Sequence, residues 1–350
     1  MNGPISFESK RLSLYVIPAS MSALVLFGKE DMRLVERSVP TPGVDEALIE
    51  VGSVGVCGSD KHLYYEGRDS SNLVKSPLIM GHEFGGRIVA VGDEREAGRL
   101  GQRVSVEPLM PDWDSSEALH GRYNIDPSQK FFGVPGTDGA LQQYLRVPLR
   151  NIHVIPDSIS DDAAAMVETI SVALSGVAKA GVTFGKRILT TGGGPIGLFA
   201  AQLAFLHGAA SVTLVEPHEQ RRSTARTYGC EVVSALEDVD DNYDALIECS
   251  GAASARTTGI MKVRPGGKAV FIGVGAQEAA IPMPAIIERE VSLQGVMRYA
   301  FTWPAVIALL ASGKIDTNSL VSRRLTLASA PDAWTKPFAA EVKSIIRPND

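Results

Sequence analysis

Two patterns of apolar and polar positions follow one another along the chain. Up to about Pro156, short apolar runs are punctuated by glycine and proline. Ala23-Leu24-Val25-Leu26-Phe27 and residues 46–51, 84–91, 103–106 and 141–147 read as strands. This predicts an irregular, mostly β region. A helical pattern then opens at Asp161, read as its cap, with Ala163, Ala164, Ala165 and Met166 as good helix formers.

From Lys186 strand and helix alternate. Residues 188–191 form a short apolar strand, followed by Gly192-Gly193-Gly194-Pro195-Ile196-Gly197. The next helix carries Ile196, Phe199, Leu203 and Leu206 on one face and stops at Gly208. A second strand, 212–215, ends in Glu216, and its helix runs to Tyr228 before Gly229. Strands at 231–233, 245–248, 268–272 and 291–294 complete a βαβ series, which predicts an α/β fold with a parallel, doubly wound sheet. The acidic stretch between Val233 and Tyr243 leaves little room for a full crossover helix. Thr302-Trp303-Pro304 opens a helix through Leu310, and the tail mixes helix and strand and returns to the first domain. Residues 1–20 read as an N-terminal extension, 21–168 as the first part of the β-rich domain, 169–300 as the parallel-sheet domain and 301–350 as the return.

Composition narrows the function classes. A chain of 350 residues suggests two domains. A net charge of −6 gives no footprint for nucleic acid or an anionic membrane. No apolar run is long enough to span a bilayer, and the first twenty residues do not make a signal peptide. The three cysteines, Cys57, Cys230 and Cys249, cannot form a disulfide framework, so a reducing, cytoplasmic location is expected.

Gly192, Gly194 and Gly197 fit G-x-G-x-x-G between a strand and a helix. The glycines permit a tight turn and close approach of a pyrophosphate, and the helix start offers unpaired N–H groups. Pro195 suits the first helical turn. Glu216, ending the next strand, is placed to accept from both hydroxyls of an adenosine ribose, and it would repel a 2′-phosphate. NAD is therefore expected over NADP, with Arg221 and Arg222 nearby as the counter-argument.

The span from Cys57 to Glu83 holds a thiol, two imidazoles and a carboxylate, the ligand types zinc takes. Hydride transfer from an alcohol needs the hydroxyl polarised or deprotonated, and zinc does this. Cys57 and His82 are the strongest ligand candidates. Glu83 is either a third ligand or a supporting carboxylate, and Glu168, alone in an apolar run, a ligand directly or through water. Ser59 can take the substrate proton, with His62 as its outlet.

Together these residues resemble the zinc-dependent medium-chain alcohol dehydrogenase superfamily, and within it the sorbitol and polyol dehydrogenases. The resemblance runs from about Ala23 to Arg347. It rests on Cys57-Gly58-Ser59-Asp60 with His62, Gly81-His82-Glu83, Gly121-Arg122-Tyr123-Asn124, Phe131-Phe132, Val167-Glu168 and Gly194-Pro195-Ile196-Gly197. It rests also on Glu248-Cys249-Ser250-Gly251, Arg264-Pro265-Gly266-Gly267, Arg298-Tyr299 and Thr302-Trp303-Pro304. The resemblance implies a GroES-like, mostly β catalytic domain interrupted by a Rossmann domain. It implies zinc on Cys57, His82 and Glu83 with Glu168 able to swap with water, and a relay through Ser59 and His62. Arg298 and Tyr299 would join the polyol network, with Phe132 as an apolar wall. Glu216, Arg221, Ile272, Val274 and Arg298 would line the cofactor. A homo-oligomer, dimer or tetramer, is implied as well.

Four departures bear on these expectations. Asp112, Ser115, Ala118 and Asp126 stand where many relatives carry four cysteines for a structural zinc, so one zinc per chain is expected. Thr169 follows Glu168 in place of the usual proline. Leu63 replaces a substrate-holding tyrosine, which would make the pocket more apolar there. The trimmed segment before Tyr243 shortens the cofactor domain. The expected activity is oxidation of a secondary alcohol of a polyol or cyclitol to a ketone with NAD. Dehydrogenation of a simple alcohol, sugar acid or aminocyclitol is the alternative, and a non-catalytic nucleotide-binding protein the remote one.

Overall fold

The computed structural model describes residues 15–69, 72–336, 338 and 341–350. The N-terminal extension as read therefore lies mostly outside the described residues. Within its last few, Ile17 packs against Leu48, Val89 and Ala90.

The glycine- and proline-broken first half forms antiparallel sheets, the largest of them extended by two tail strands that pair parallel to each other. In the largest, strands Ile152–Val154, Arg103–Val106, Glu83–Val91, Glu46–Gly55, Lys343–Arg347 and Val321–Thr326 lie side by side, and Tyr144–Pro148 also pairs with Glu46–Gly55. The C-terminal tail thus supplies two strands of the first sheet. Register matters for the site, because Gly55 pairs with Glu83 on one side and with Ile345 on the other. Lys343, two residues before Ile345 on the same face of its strand, is thereby brought to Glu83 across 260 positions. A Cβ at Gly55 would overlap the Glu83 carboxylate, so this crossing needs glycine.

The alternating half forms a six-stranded parallel sheet. Its order is Glu231–Val233, Ser211–Val215, Arg187–Thr191, Tyr243–Glu248, Val263–Phe271, Ser292–Gly295. The order reverses beside Arg187–Thr191, and the glycine loop leaves that strand at its carboxyl end, where α/β sheets bind ligands. Between Val233 and Tyr243 only a short 3-10 turn, Leu236–Asp238, fits, in line with the trimmed segment read from the sequence.

Two local expectations are corrected. Ser160, not Asp161, caps the first helix, because its hydroxyl accepts the Ala163 N–H at 3.2 Å. The helix Pro195–Leu206 is not apolar on one face only. Residues 197–204 are all buried, since the helix lies between the sheet and the helix Val167–Ala180, while Leu206 is exposed. The helix Val167–Ala180 runs unbroken through the boundary read at 168/169, and Trp303–Ala311 shares the core of the parallel sheet.

Candidate metal and cofactor site

Cys57 stands at the N-cap of the helix Gly58–Glu66, and His82 in the turn before the strand Glu83–Val91. Their ligand atoms and those of Glu83 lie within 4.8 Å of one another. His82 and Glu83 are buried and Cys57 half-buried. Glu168 opens the helix Val167–Ala180 and is only 5% exposed, so it is no solvent-facing helix residue.

Two further groups complete this cluster, and sequence reasoning missed both roles. Asp60, fully buried, accepts the Cys57 N–H at 2.9 Å and sets its other oxygen 3.5 Å from His82 Nδ1. That nitrogen and that oxygen have no hydrogen-bond partner in the protein. A carboxylate behind an imidazole is how a metal-ligating histidine is usually oriented. Lys343, the second group, has its ammonium on the Glu83 carboxylate and donates to Val56 O at 3.1 Å. The Cys-x-x-Asp spacing could have pointed to Asp60. Nothing local marks Lys343, because its partners come from the far end of the chain.

The electrostatics ask for a cation. Burial pulls the His82 imidazole down, but Asp60, Cys57 and Glu168 push it up to about 10. Burial raises the Glu168 carboxyl to about 7, with His82 opposing and Glu83 reinforcing. Burial also raises Glu83, yet Lys343 and His82 outweigh it and hold that carboxyl below its ordinary value. His82, Lys343 and Arg298 set positive charge against the three acids, yet burial and Glu83 still raise Glu168, so the balance around it is incomplete. A divalent cation would supply the rest, and thiol, imidazole and carboxylate suit zinc. The residues present therefore fit the metal.

Ser59 and His62 share one helix face three residues apart, both half-buried. His62 Nδ1 lies 2.7 Å from Glu66 Oε1 on the outer side. Arg298 sets its guanidinium 3.6 Å from the centre of the Phe131 ring and donates to Gln129 Oε1 at 2.6 Å. Phe131 is 5.3 Å from the His82 ring. Phe132, read as an apolar wall, instead turns into the catalytic-sheet core, edge-on to Phe84. Phe131 ends the short strand Lys130–Phe131 and Phe132 lies in the turn after it, so the two rings enter different cores. Tyr299 is fully buried, its hydroxyl unpartnered, with burial and then Glu168 pushing that hydroxyl far up. Leu63 has no exposed surface and packs with the catalytic-sheet core, so it does not line an open pocket.

At the glycine loop, Gly192 has φ 90° and a Cβ at Gly197 would overlap Gly192 O. Gly194 caps the helix Pro195–Leu206, with Pro195 in its first turn and Ile196 after it. Glu216 accepts the N–H groups of Gly193 at 2.7 Å and His218 at 2.9 Å, which fixes its carboxylate against the loop. Arg221 lies 3.8 Å from Glu216 and donates to Glu341 O at 2.7 Å. Arg222 is tied to Glu219 and to the carbonyls of Glu216 and Pro217. Ile272 and the exposed Val274 follow the strand Val263–Phe271 at its carboxyl end.

The lobe that carries Asp112, Ser115, Ala118 and Asp126 is organised by a carboxylate. Asp126, fully buried, accepts from Asp112 N at 2.6 Å, Ser128 N at 3.1 Å and Ser128 Oγ at 3.0 Å.

A mostly β catalytic sheet, a parallel sheet entered through a glycine loop, and a buried thiol–imidazole–carboxylate set define the class of metal-dependent dehydrogenases. The alcohol dehydrogenase GroES-like domain matches residues 43–157, and the zinc-binding dehydrogenase domain matches residues 195–312. The chain belongs to this zinc-binding alcohol dehydrogenase family. It is 34% identical to the sorbitol dehydrogenase of Macaca fascicularis over 349 residues, 95% of this chain and 98% of that one. Identity to the sorbitol dehydrogenase of Bacillus subtilis is 33%, over 96% of this chain and 99% of that one. A protein designated a zinc-binding dehydrogenase from Sinorhizobium meliloti, solved with NADP, superposes with a TM-score of 0.89 at 28% identity. The match covers 95% of this chain and all of that one.

Proposed function

We propose that this chain is a zinc-dependent polyol dehydrogenase that oxidises a secondary alcohol of a polyol or cyclitol to a ketone, with NAD as hydride acceptor. The observation that carries the reading is the thiol–imidazole–carboxylate cluster of Cys57, His82 and Glu83, with the buried Glu168 in its field. The full-length likeness to sorbitol dehydrogenases supports the substrate class.

Cys57, His82 and Glu83 would hold the zinc, with Glu168 beside them and Asp60 orienting His82. Zinc, when bound, polarises a hydroxyl and lowers its pKa toward neutrality. Ser59 accepts the substrate proton and His62, half-buried beside Glu66, passes it outward. Arg298 and Tyr299 offer donors to the remaining hydroxyls of the substrate, and Phe131 walls the site beside His82. The glycine loop and the N-terminus of the helix Pro195–Leu206 hold the pyrophosphate. Glu216, fixed by Gly193 and His218, accepts from the ribose hydroxyls of NAD. A 2′-phosphate would meet that carboxylate, and Arg222 is engaged by Glu219, which favours NAD over NADP.

A homo-oligomer is part of the same reading. The strand Ser292–Gly295 is an exposed sheet edge, flanked by exposed Met283, Ile287 and Leu293. Light scattering at micromolar concentration tests it, and a monomer would contradict it. The activity is tested by cofactor reduction over a panel of polyols and cyclitols, with NAD and NADP side by side. No turnover of any secondary alcohol by zinc-loaded protein would refute the function.

A further inference from the structure

The segment 297–301 carries two non-glycine residues in the left-handed region, Arg298 at φ 49° and Phe301 at φ 57°. Such backbone persists only where its surroundings over-determine it. The surroundings here are the lobe around Asp126. Asn124 Nδ2 donates to Met297 O at 2.7 Å, and Phe301 N donates to the Tyr123 hydroxyl at 2.8 Å. Gln129 Oε1 accepts from Arg298 at 2.6 Å, and the Phe131 ring lies under the same guanidinium. Gln129 is itself held, since its Nε2 donates to Asn124 O at 3.3 Å and its N–H to Asp126 O at 3.3 Å. Its amide orientation is fixed from both ends, because a flip would set donor against donor at Arg298 and acceptor against acceptor at Asn124.

We propose that Gln129 is a positioning residue for substrate binding, holding the Arg298 guanidinium over Phe131 so that it meets the polyol already oriented. The lobe that the resemblance associates with a structural metal acts in this chain as a rigid arm, with Asp126 at its hub and Gln129 at its tip. Without the Gln129 acceptor, the arginine loses one of the contacts that fix its orientation over Phe131, and substrate binding weakens through lost preorganisation. This inference rests on the reading of Arg298 as a substrate contact.

The test is a double-mutant cycle on zinc-loaded protein. Gln129→Met keeps the length and removes the acceptor, Gln129→Glu keeps the acceptor, and Arg298→Leu removes the guanidinium. Gln129→Met is expected to raise KM for the polyol about tenfold. The KM for NAD should change less than that for the polyol, and Gln129→Glu, which keeps the acceptor for Arg298 but sets its second oxygen against Asn124 O, should raise the polyol KM less than Gln129→Met does. Gln129→Met added to Arg298→Leu should cost little more than Arg298→Leu alone. If Gln129→Met folds poorly, Gln129→Ala, which removes the same acceptor without a replacement side chain, takes its place in the cycle. If Arg298→Leu raises KM while Gln129→Met does not, the positioning role fails and the substrate reading stands. If Arg298→Leu itself leaves KM unchanged, both fail. A Gln129→Met protein with lowered melting temperature and equal losses toward polyol and NAD would show a merely structural residue.

Discussion

Lys343 and Glu83 form an ion pair in which each side chain is 1% exposed. Two buried charges of opposite sign stand beside the candidate metal ligands, and neither has water to fall back on. Removing one partner leaves the other buried and uncompensated, which costs roughly 3–5 kcal/mol. Lys343→Met is therefore expected to destabilise the zinc-free protein by about that amount in urea unfolding, and the zinc-loaded protein by less, because the metal then pairs with Glu83. The double variant Lys343→Met, Glu83→Gln should recover part of the loss. A loss below about 1 kcal/mol for Lys343→Met would contradict the pairing.

Asp162 makes the stability of the fold sensitive to acid. It is buried and bonded to Ser53, Arg324 and Arg347, tying the helix Asp161–Ala165 to three strands of the catalytic sheet. Burial alone would raise its carboxyl, but the bonds from Arg324, Ser53 and Arg347 win and hold it below the ordinary 3.8. A depressed carboxyl contributes stability that is present above its unfolded value and lost as pH falls through the folded one. Acid unfolding of the parent should thus steepen below about pH 4. Asp162→Asn should be less stable at neutral pH and show a shallower acid limb. Parallel acid limbs would overturn this assignment.

Asp126 occupies the centre of its lobe with backbone and hydroxyl donors. Asp126→Ala is expected to loosen the packing around Trp113, which stacks under Arg150 and against Tyr123. Tryptophan fluorescence and limited proteolysis between residues 112 and 128 read this directly. A chelator should not reproduce the effect in the parent, and a matching change on chelation would point to metal in the lobe.

On the proposed reading Glu168 assists the metal centre, and Cys57, His82 and Glu83 anchor it. Glu168→Gln should keep zinc near one equivalent per chain, since Cys57, His82 and Glu83 remain. Its kcat with a polyol should fall about a hundredfold, the usual scale for losing a positioned acid–base group. Loss of the zinc from Glu168→Gln would instead make it an obligatory ligand.

How far the chain could be read in advance depends on sequence distance. The parallel sheet was legible because strand and helix periods alternate, and the glycine loop because Gly192, Gly197 and Glu216 recur at fixed offsets. Cys57, His82 and Glu83 were legible because ligand types cluster within 27 positions. Lys343 was not, since a lysine in a short tail strand looks like surface until the sheet register brings it to Glu83. Choosing between Phe131 and Phe132 required knowing that the chain turns between them. The Ser160 cap was hidden by the acidic residue beside it. Asp126 and Gln129 owe their roles to partners in a loop with no periodicity at all.

The most direct test of the central claim is zinc content measured together with cofactor reduction on purified protein, before metal stripping, after it, and after reloading. The account predicts one zinc per chain, NADH formed with a polyol, loss of both on stripping, and recovery of both with zinc. Full polyol oxidation by metal-free protein, or by a Cys57→Ser protein without zinc, would contradict it.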